Sequence, residues 1–120
     1  MVTKEMPHAC KQYLKAVNDT IYILSGKWKV MIIACLSEFG KQRYMELQRS
    51  VEGIGPKMLS KELQELEING LIKRSVSVTK PVTVAYELTK YGQTLKPIIK
   101  EMALWGHQHR KKIIKELKAK

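Results

Sequence analysis

GPKMLSKELQELEINGLIKR, Gly55 to Arg74, is the stretch on which the fold turns. Leu59, Leu63 and Leu66 recur at spacings of four and three. On a helix turning about 100° per residue they share roughly 60° of arc. Lys57, Lys61 and Gln64 gather on the opposite side, with Ser60 at its edge. Pro56 suits the first helical position, where its missing N–H would have no partner in any case. Asn69-Gly70 stops the helix near Ile68, and Leu71 to Val78 is β-branched and partly alternating. A two-faced helix therefore runs straight into a strand.

The surrounding chain is ordinary in composition. It has 120 residues, 44% of them apolar and 28% charged, which suits one folded domain with a single core. Runs such as VMIIACL (Val30 to Leu36) are too short to span a bilayer, and MVTKEMPHAC at the start has no apolar signal region. A cytoplasmic protein with no membrane partner is expected. Cys10 and Cys35 make no disulfide framework and lack the spacing of a zinc site, so both are expected as thiols. The net charge of +11 favours a polyanionic partner, nucleic acid before a membrane surface.

Residues 1–9 read as a loose arm. Cys10, Leu14, Val17, Ile21 and Leu24 line one face of a first helix over 10–24. A second helix, Lys27 to about Glu38, is expected to turn Trp28, Met31, Ile32, Cys35 and Leu36 inward. Gln42 to Tyr44 reads as an extended link, and Met45 to Val51 as a brief helix with Leu47 and Val51 facing the core. Both glycines of Glu52-Gly53-Ile54-Gly55 are expected at positive φ in a turn. Beyond the opening helix, residues 71–88 alternate around Thr79-Lys80-Pro81 and read as a hairpin. Thr89 is an N-cap for a long helix over 90–119, which Pro97 is expected to kink.

A short helix and a longer one joined by a Gly-containing turn over 45–69, followed by a hairpin, is the order of a winged helix-turn-helix. The fold class expected is mainly α with a small β-hairpin wing. The lysine/glutamine face could equally be the solvated side of an ordinary amphipathic helix. With the hairpin and the net charge beside it, DNA is favoured: lysine can donate to guanine or phosphate, and glutamine can pair with adenine.

SGKWKVMII (Ser25 to Ile33), RYMELQRSVEGIGPKMLSKELQELEINGLIKR (Arg43 to Arg74), PVTVAYELTKYGQTLKPII (Pro81 to Ile99) and Trp105-Gly106 together resemble the HxlR-type transcriptional regulators, a branch of the MarR-like winged-helix proteins. The likeness covers about Cys10 to Gly106. It implies a dimeric bacterial DNA-binding regulator in which Pro56 to Gln64 leads the recognition helix. Base contacts are then expected from Lys57, Ser60, Lys61 and Gln64, and phosphate contacts from Arg43, Arg74 and Lys80 at the wing tip. Dimerisation is expected through the terminal helices, with Leu14 and Val17 on the first and Leu95, Ile98, Met102 and Trp105 on the last. Some members sense oxidants or electrophiles through an N-terminal cysteine followed by proline. Here Cys10 is the corresponding candidate, followed instead by Lys11. Met45 stands where the family often has a polar cap, which is expected to weaken the start of the short helix.

Nothing in the chain supports catalysis. No phosphate-binding glycine loop, no nucleophile elbow and no nucleophile–base pair occurs. His107 and His109 lie about 200° apart on a helix and cannot grip one metal together, so neither metal nor cofactor is expected. The leading expectation is a sequence-specific regulator of double-stranded DNA, a repressor on a pseudo-palindromic operator. The alternative is a winged-helix protein-interaction module without specific DNA binding.

Overall fold

The computed structural model describes residues 8–78 and 80–119. The elements run α1 (His8–Ile23), α2 (Trp28–Phe39), β1 (Gln42–Arg43), α3 (Tyr44–Ser50), α4 (Pro56–Ile68), β2 (Ile72–Ser77), β3 (Thr83–Leu88), a 3-10 turn (Gly92–Leu95) and α5 (Lys96–Ala119). The expected helix-turn-helix and hairpin are present. The link at Gln42–Arg43 is more than a connector: it pairs antiparallel with β3, so the wing is a three-stranded sheet in the order β1-β3-β2. A two-residue strand is too short to leave a periodic trace in sequence.

The core lies between α2, α3, α4 and one face of the sheet. Ile32, Ile33 and Leu36 of α2, Leu47 and Val51 beside α3, and Leu59, Leu63 and Leu66 of α4 meet Ile72, Tyr86 and Leu88 there. The inward face of α2 differs from expectation. Ile33 and Lys29 are buried, Met31 is exposed, and Trp28 and Cys35 are only part-buried at the margin. Of the two turn glycines only Gly53 has positive φ (90°); Gly55 is extended and caps the start of α4. Pro56 opens α4 as expected.

Two junctions fix how α4 and the sheet meet. At the end of α4, Gly70 adopts φ 74°, Gly70 N–H donates to Glu67 O at 3.0 Å and Leu71 N–H to Leu66 O at 3.0 Å. This paired closure turns the chain directly into β2. At the far end of β3, Thr89 N–H donates to Leu71 O at 3.0 Å, the Thr89 hydroxyl donates to Gly70 O at 2.6 Å, and Gly92 N–H donates to Thr89 Oγ1 at 2.9 Å. Thr89 therefore accepts the first N–H of the 3-10 turn and ties that turn back to the end of α4. Pro97 falls in the first turn of α5, where no backbone bond is lost, so the kink expected inside a single long helix does not arise.

The terminal helices stand apart from this core. Neither α1 nor α5 contributes a buried residue, and α1 meets the core only through Ile23 and the following Leu24. The radius of gyration is 18.5 Å, against about 13–14 Å for a compact chain of this length. No single helix among the described residues is long and apolar enough to cross a membrane.

A Cβ on Gly92 would sit 1.9 Å from Leu71 O, backbone that the Thr89 bonds hold in place. Gly92→Ala should therefore destabilise the fold by on the order of 2–3 kcal/mol in urea denaturation, whereas a loss under about 0.5 kcal/mol would show that this junction is free to yield.

Candidate nucleic-acid interface

The face of α4 turned away from its leucines is fully displayed. Lys57, Ser60, Lys61 and Gln64 are all exposed, while Leu59, Leu63 and Leu66 are sealed beneath them. Burial of each leucine is worth about 1.5–3 kcal/mol, which holds this side of α4 against the core. Neither Lys57 nor Lys61 has an ion-pair partner among the described residues.

A second attachment holds α4, and periodicity did not reveal it. Lys29 of α2 is buried with its side chain 8% exposed, and its Nζ lies 2.9 Å from Glu62 Oε2, itself 8% exposed. The same ammonium also pairs with Glu65 one turn further on. Burial alone would lower the Lys29 pKa, but the hydrogen bonds and charges of Glu65 and Glu62 outweigh it and raise it above its ordinary value. The hydrogen bond from Lys29 is the main cause that holds the Glu65 carboxyl below its usual range, and Lys61 adds to it. This matters for the exposed face. α4 carries two lysines, Lys57 and Lys61, against three glutamates, Glu62, Glu65 and Glu67. Lys29 offsets acid that would otherwise act against the lysines. A Lys-x-x-x spacing to neighbours could not have shown this, because the partners lie 33 and 36 residues away.

Tyr44 supplies a third tie. Its hydroxyl lies 2.8 Å from Pro56 O and 3.0 Å from Ser60 Oγ. Donation to the carbonyl uses the one phenolic proton, so Ser60 donates to Tyr44 and keeps only lone pairs for an outside partner. Ser60, expected as a base-contact residue from its edge position, is thus also a strut between α3 and α4. The start of α3 is not weakened by Met45, because the cap belongs to Arg43 and Glu46: Arg43 N–H donates to Glu46 Oε1 at 2.9 Å.

Arg43 and Arg74 are exposed, on β1 and β2 at the base of the wing, and Lys80 is exposed beside the wing tip. Thr79, before Lys80 in the turn expected at Thr79-Lys80-Pro81, lies outside the described residues. Arg49, near the end of α3, joins Arg43 and Arg74 around one cleft of about 670 Å³ between α3 and the wing. Sequence reasoning passed over Arg49; a cation six residues beyond Arg43 is a weak signal until β1 and α3 are seen to bring the two to one cleft with Arg74.

The residues expected at a dimer interface separate into two groups. Leu14, Val17, Ile98, Met102 and Trp105 are exposed, Trp105 at 66% and stacked on His109 with ring centroids 4.9 Å apart. Leu95 is not among them: it packs into the chain's own core with Ile99 beside it, because the 3-10 turn rotates it inward before α5 begins. Cys10 is exposed on the first turns of α1. Cys35 is part-buried, and burial raises its thiol pKa, which keeps it protonated.

A helix-turn-helix with a three-stranded wing, whose second helix leaves a lysine-bearing face open, defines the winged-helix class of transcriptional regulators. Residues 23–114 match the family model described as HxlR-like helix-turn-helix, and the chain belongs to that family. It is 40% identical over 99 residues to the HTH-type transcriptional regulator YtcD of Bacillus subtilis (strain 168), a match spanning 82% of this chain and 78% of that protein. Among solved structures it resembles the redox regulator HypR in its reduced form, with a TM-score of 0.76 and 35% identity over 83% of this chain and 98% of that one. It also resembles diamide-treated YodB from B. subtilis, with a TM-score of 0.62 and 30% identity over 88% and 96% of the two chains. The family and its curated relative are HTH-type transcriptional regulators, and so is this protein, which is not an enzyme.

Lys29→Met strands Glu62 in the core and should cost about 3–5 kcal/mol of stability near neutral pH; Glu62→Leu added to it should restore much of that. The difference between wild type and Lys29→Met should also depend on pH. The lowered Glu65 pKa contributes stability above about 4.5 that is lost as pH falls through the folded value. The raised Lys29 pKa contributes stability below about 10.5 that is lost as pH rises through the folded value. Denaturation curves from pH 3 to 11 should show the gap widest between these limits, and a gap indifferent to pH would remove the ion pair from the account.

Proposed function

We propose that the protein is a homodimeric repressor that binds double-stranded DNA sequence-specifically at a pseudo-palindromic operator. The observation that carries this reading is the division of α4 into a sealed leucine face and an open face of Lys57, Ser60, Lys61 and Gln64. Each α4 enters a major groove, the two held about one helical turn apart by the dimer. Lys61 and Lys57 donate to guanine edges or phosphates, Gln64 pairs with adenine, and Ser60 accepts from a base amino group. Arg43, Arg74 and Lys80 hold the phosphates on either side, which fixes register without reading sequence.

The dimer rests on α1 and α5. Their exposed Leu14, Val17, Ile98, Met102 and Trp105 form apolar stripes that a partner copy would cover. A partner copy on these stripes would also account for the extended shape of the protomer. Cys10, near the start of α1, is the redox-sensing thiol of this reading; the resemblance to HypR, a redox regulator, and to diamide-treated YodB supports it. Oxidation there would act on the element that sets the spacing of the two recognition helices.

Fluorescence anisotropy with a duplex from the chain's own upstream region and a scrambled duplex tests the reading. Lys61→Ala or Gln64→Ala should lose about 1–3 kcal/mol on the specific duplex and little on the scrambled one, whereas Lys80→Ala should weaken both alike and flatten the salt slope. An unchanged specific-to-scrambled ratio in Lys61→Ala would refute the groove assignment and favour a protein-interaction module. Diamide should shift the wild-type affinity and leave Cys10→Ser unaffected.

The dimer has its own test. Trp105→Glu should halve the sedimenting mass while the circular dichroism spectrum of the folded protomer is retained; a wild-type chain that sediments as a monomer at tens of micromolar contradicts the assembly.

A further inference from the structure

We propose that an aliphatic strip on the wing selects A·T pairs in the DNA flanking each half-site, because its valines cannot satisfy the amino group of guanine. The inference rests on the DNA reading above and adds a second source of sequence preference to it. Val76 of β2 lies opposite Val84 of β3 in the sheet register. Val78 and Val82 continue the same alternation towards the wing tip. Val78 is 88% exposed, Val82 65% and Val76 45%, while Val84 packs against the core. Ser75, Ser77 and Thr83, the alternate positions on the same strands, are polar. The valines thus run as a strip from the core margin out into solvent.

Strand propensity does not account for this strip. Threonine would serve the strands as well and would leave a hydroxyl for water. A valine that touches nothing gains no burial. Its surroundings point to a partner with apolar and anionic surface together. Arg74 precedes Val76 by two residues on β2, Arg43 lies on β1 at the other side of β3, and Lys80 stands between Val78 and Val82 in the chain. None of the three cations has an ion-pair partner among the described residues. An apolar strip within a cationic rim complements a minor groove, whose walls are sugar faces bordered by phosphates. The wing also leaves α4 at Gly70 without a loop, so it travels with α4 onto any duplex that α4 enters.

Valine discriminates by what it fails to offer. In the minor groove A·T and G·C pairs present the same kinds of acceptor, and G·C adds the guanine N2 amino donor. Methyl groups pressed onto that amino group strip its water and return no acceptor, which penalises G·C. A·T tracts also narrow the groove, which brings both walls onto the strip. Lys80 holds phosphate and is indifferent to the pair beside it.

The test is anisotropy on a duplex recovered by selection from a random pool, with the pairs flanking each half-site set to A·T, G·C or inosine·C. Inosine·C keeps the major-groove face of G·C and lacks only the N2 amino group. A·T and inosine·C flanks should bind alike, and G·C flanks about tenfold more weakly. The double variant Val78→Thr/Val82→Thr keeps side-chain volume and adds hydroxyls that can accept from guanine. It should bring the three flanks within about twofold of one another and leave the half-site preference unchanged. Inosine·C flanks that bind as weakly as G·C would move the preference to duplex deformability and overturn the inference. So would a double variant that keeps the tenfold ratio, or one whose sedimenting mass changes, since the strip would then be a contact between copies. Half-site preference with no flank preference overturns the valine reading and leaves the reading of α4 intact. A wild-type chain that binds no duplex specifically overturns both.

Discussion

The structure depends on holding α4 at one rotation about its axis. Leu59, Leu63 and Leu66 press it onto α2 and the sheet, and Lys29 reaches from α2 to Glu62 and Glu65 on its flank. Apolar packing alone would tolerate a turn of the helix by a few tens of degrees, since one leucine ridge can slide in its groove. A buried ammonium between two carboxylates tolerates far less, because any rotation strands a charge. The ion pair is poor evidence for added stability but a good device for specifying orientation. That orientation decides which side chains are left outside.

The second constraint lies where the wing leaves the helix. Gly70 turns α4 into β2 without a loop; Thr89 binds the far end of β3 back onto Gly70 and Leu71, and Gly92 N–H donates to Thr89 in turn. Wing, α4 and the start of α5 are thereby joined within a few residues. In the proposed dimer this junction would pass a change at α1 or α5 to the DNA face as movement of a rigid block. The motif YELTKYG, quoted on resemblance in the sequence, has a physical reason here: its threonine is a three-way hydrogen-bond centre and its glycine makes room for Leu71 O.

The order of elements and the two faces of α4 were legible in sequence because each rests on local rules. Leucine spacing gives the helix, Pro56 and Asn69-Gly70 give its ends, and alternation gives the hairpin. What escaped was non-local. The Lys29 network joins residues more than thirty apart, β1 is too short for any period, and the bond from Ser60 to Tyr44 spans 16 residues. Leu95 was grouped with an interface because its three-four-three spacing continued into α5, with packing onto the chain's own core as the alternative for some of that set. The 3-10 turn changes the pitch just there and sends Leu95 into the core. The same turn moves the helix start to Lys96 and makes Pro97 harmless.

The central claim is that one face of α4, presented twice by a dimer, reads DNA sequence. Repeated selection of the wild-type chain against a pool of random duplexes tests it most directly. The account predicts enrichment of a pseudo-palindrome whose half-sites are centred about 10 base pairs, or a multiple of that, apart. Recovery of duplexes with no shared sequence, bound as tightly as the starting pool, would contradict it.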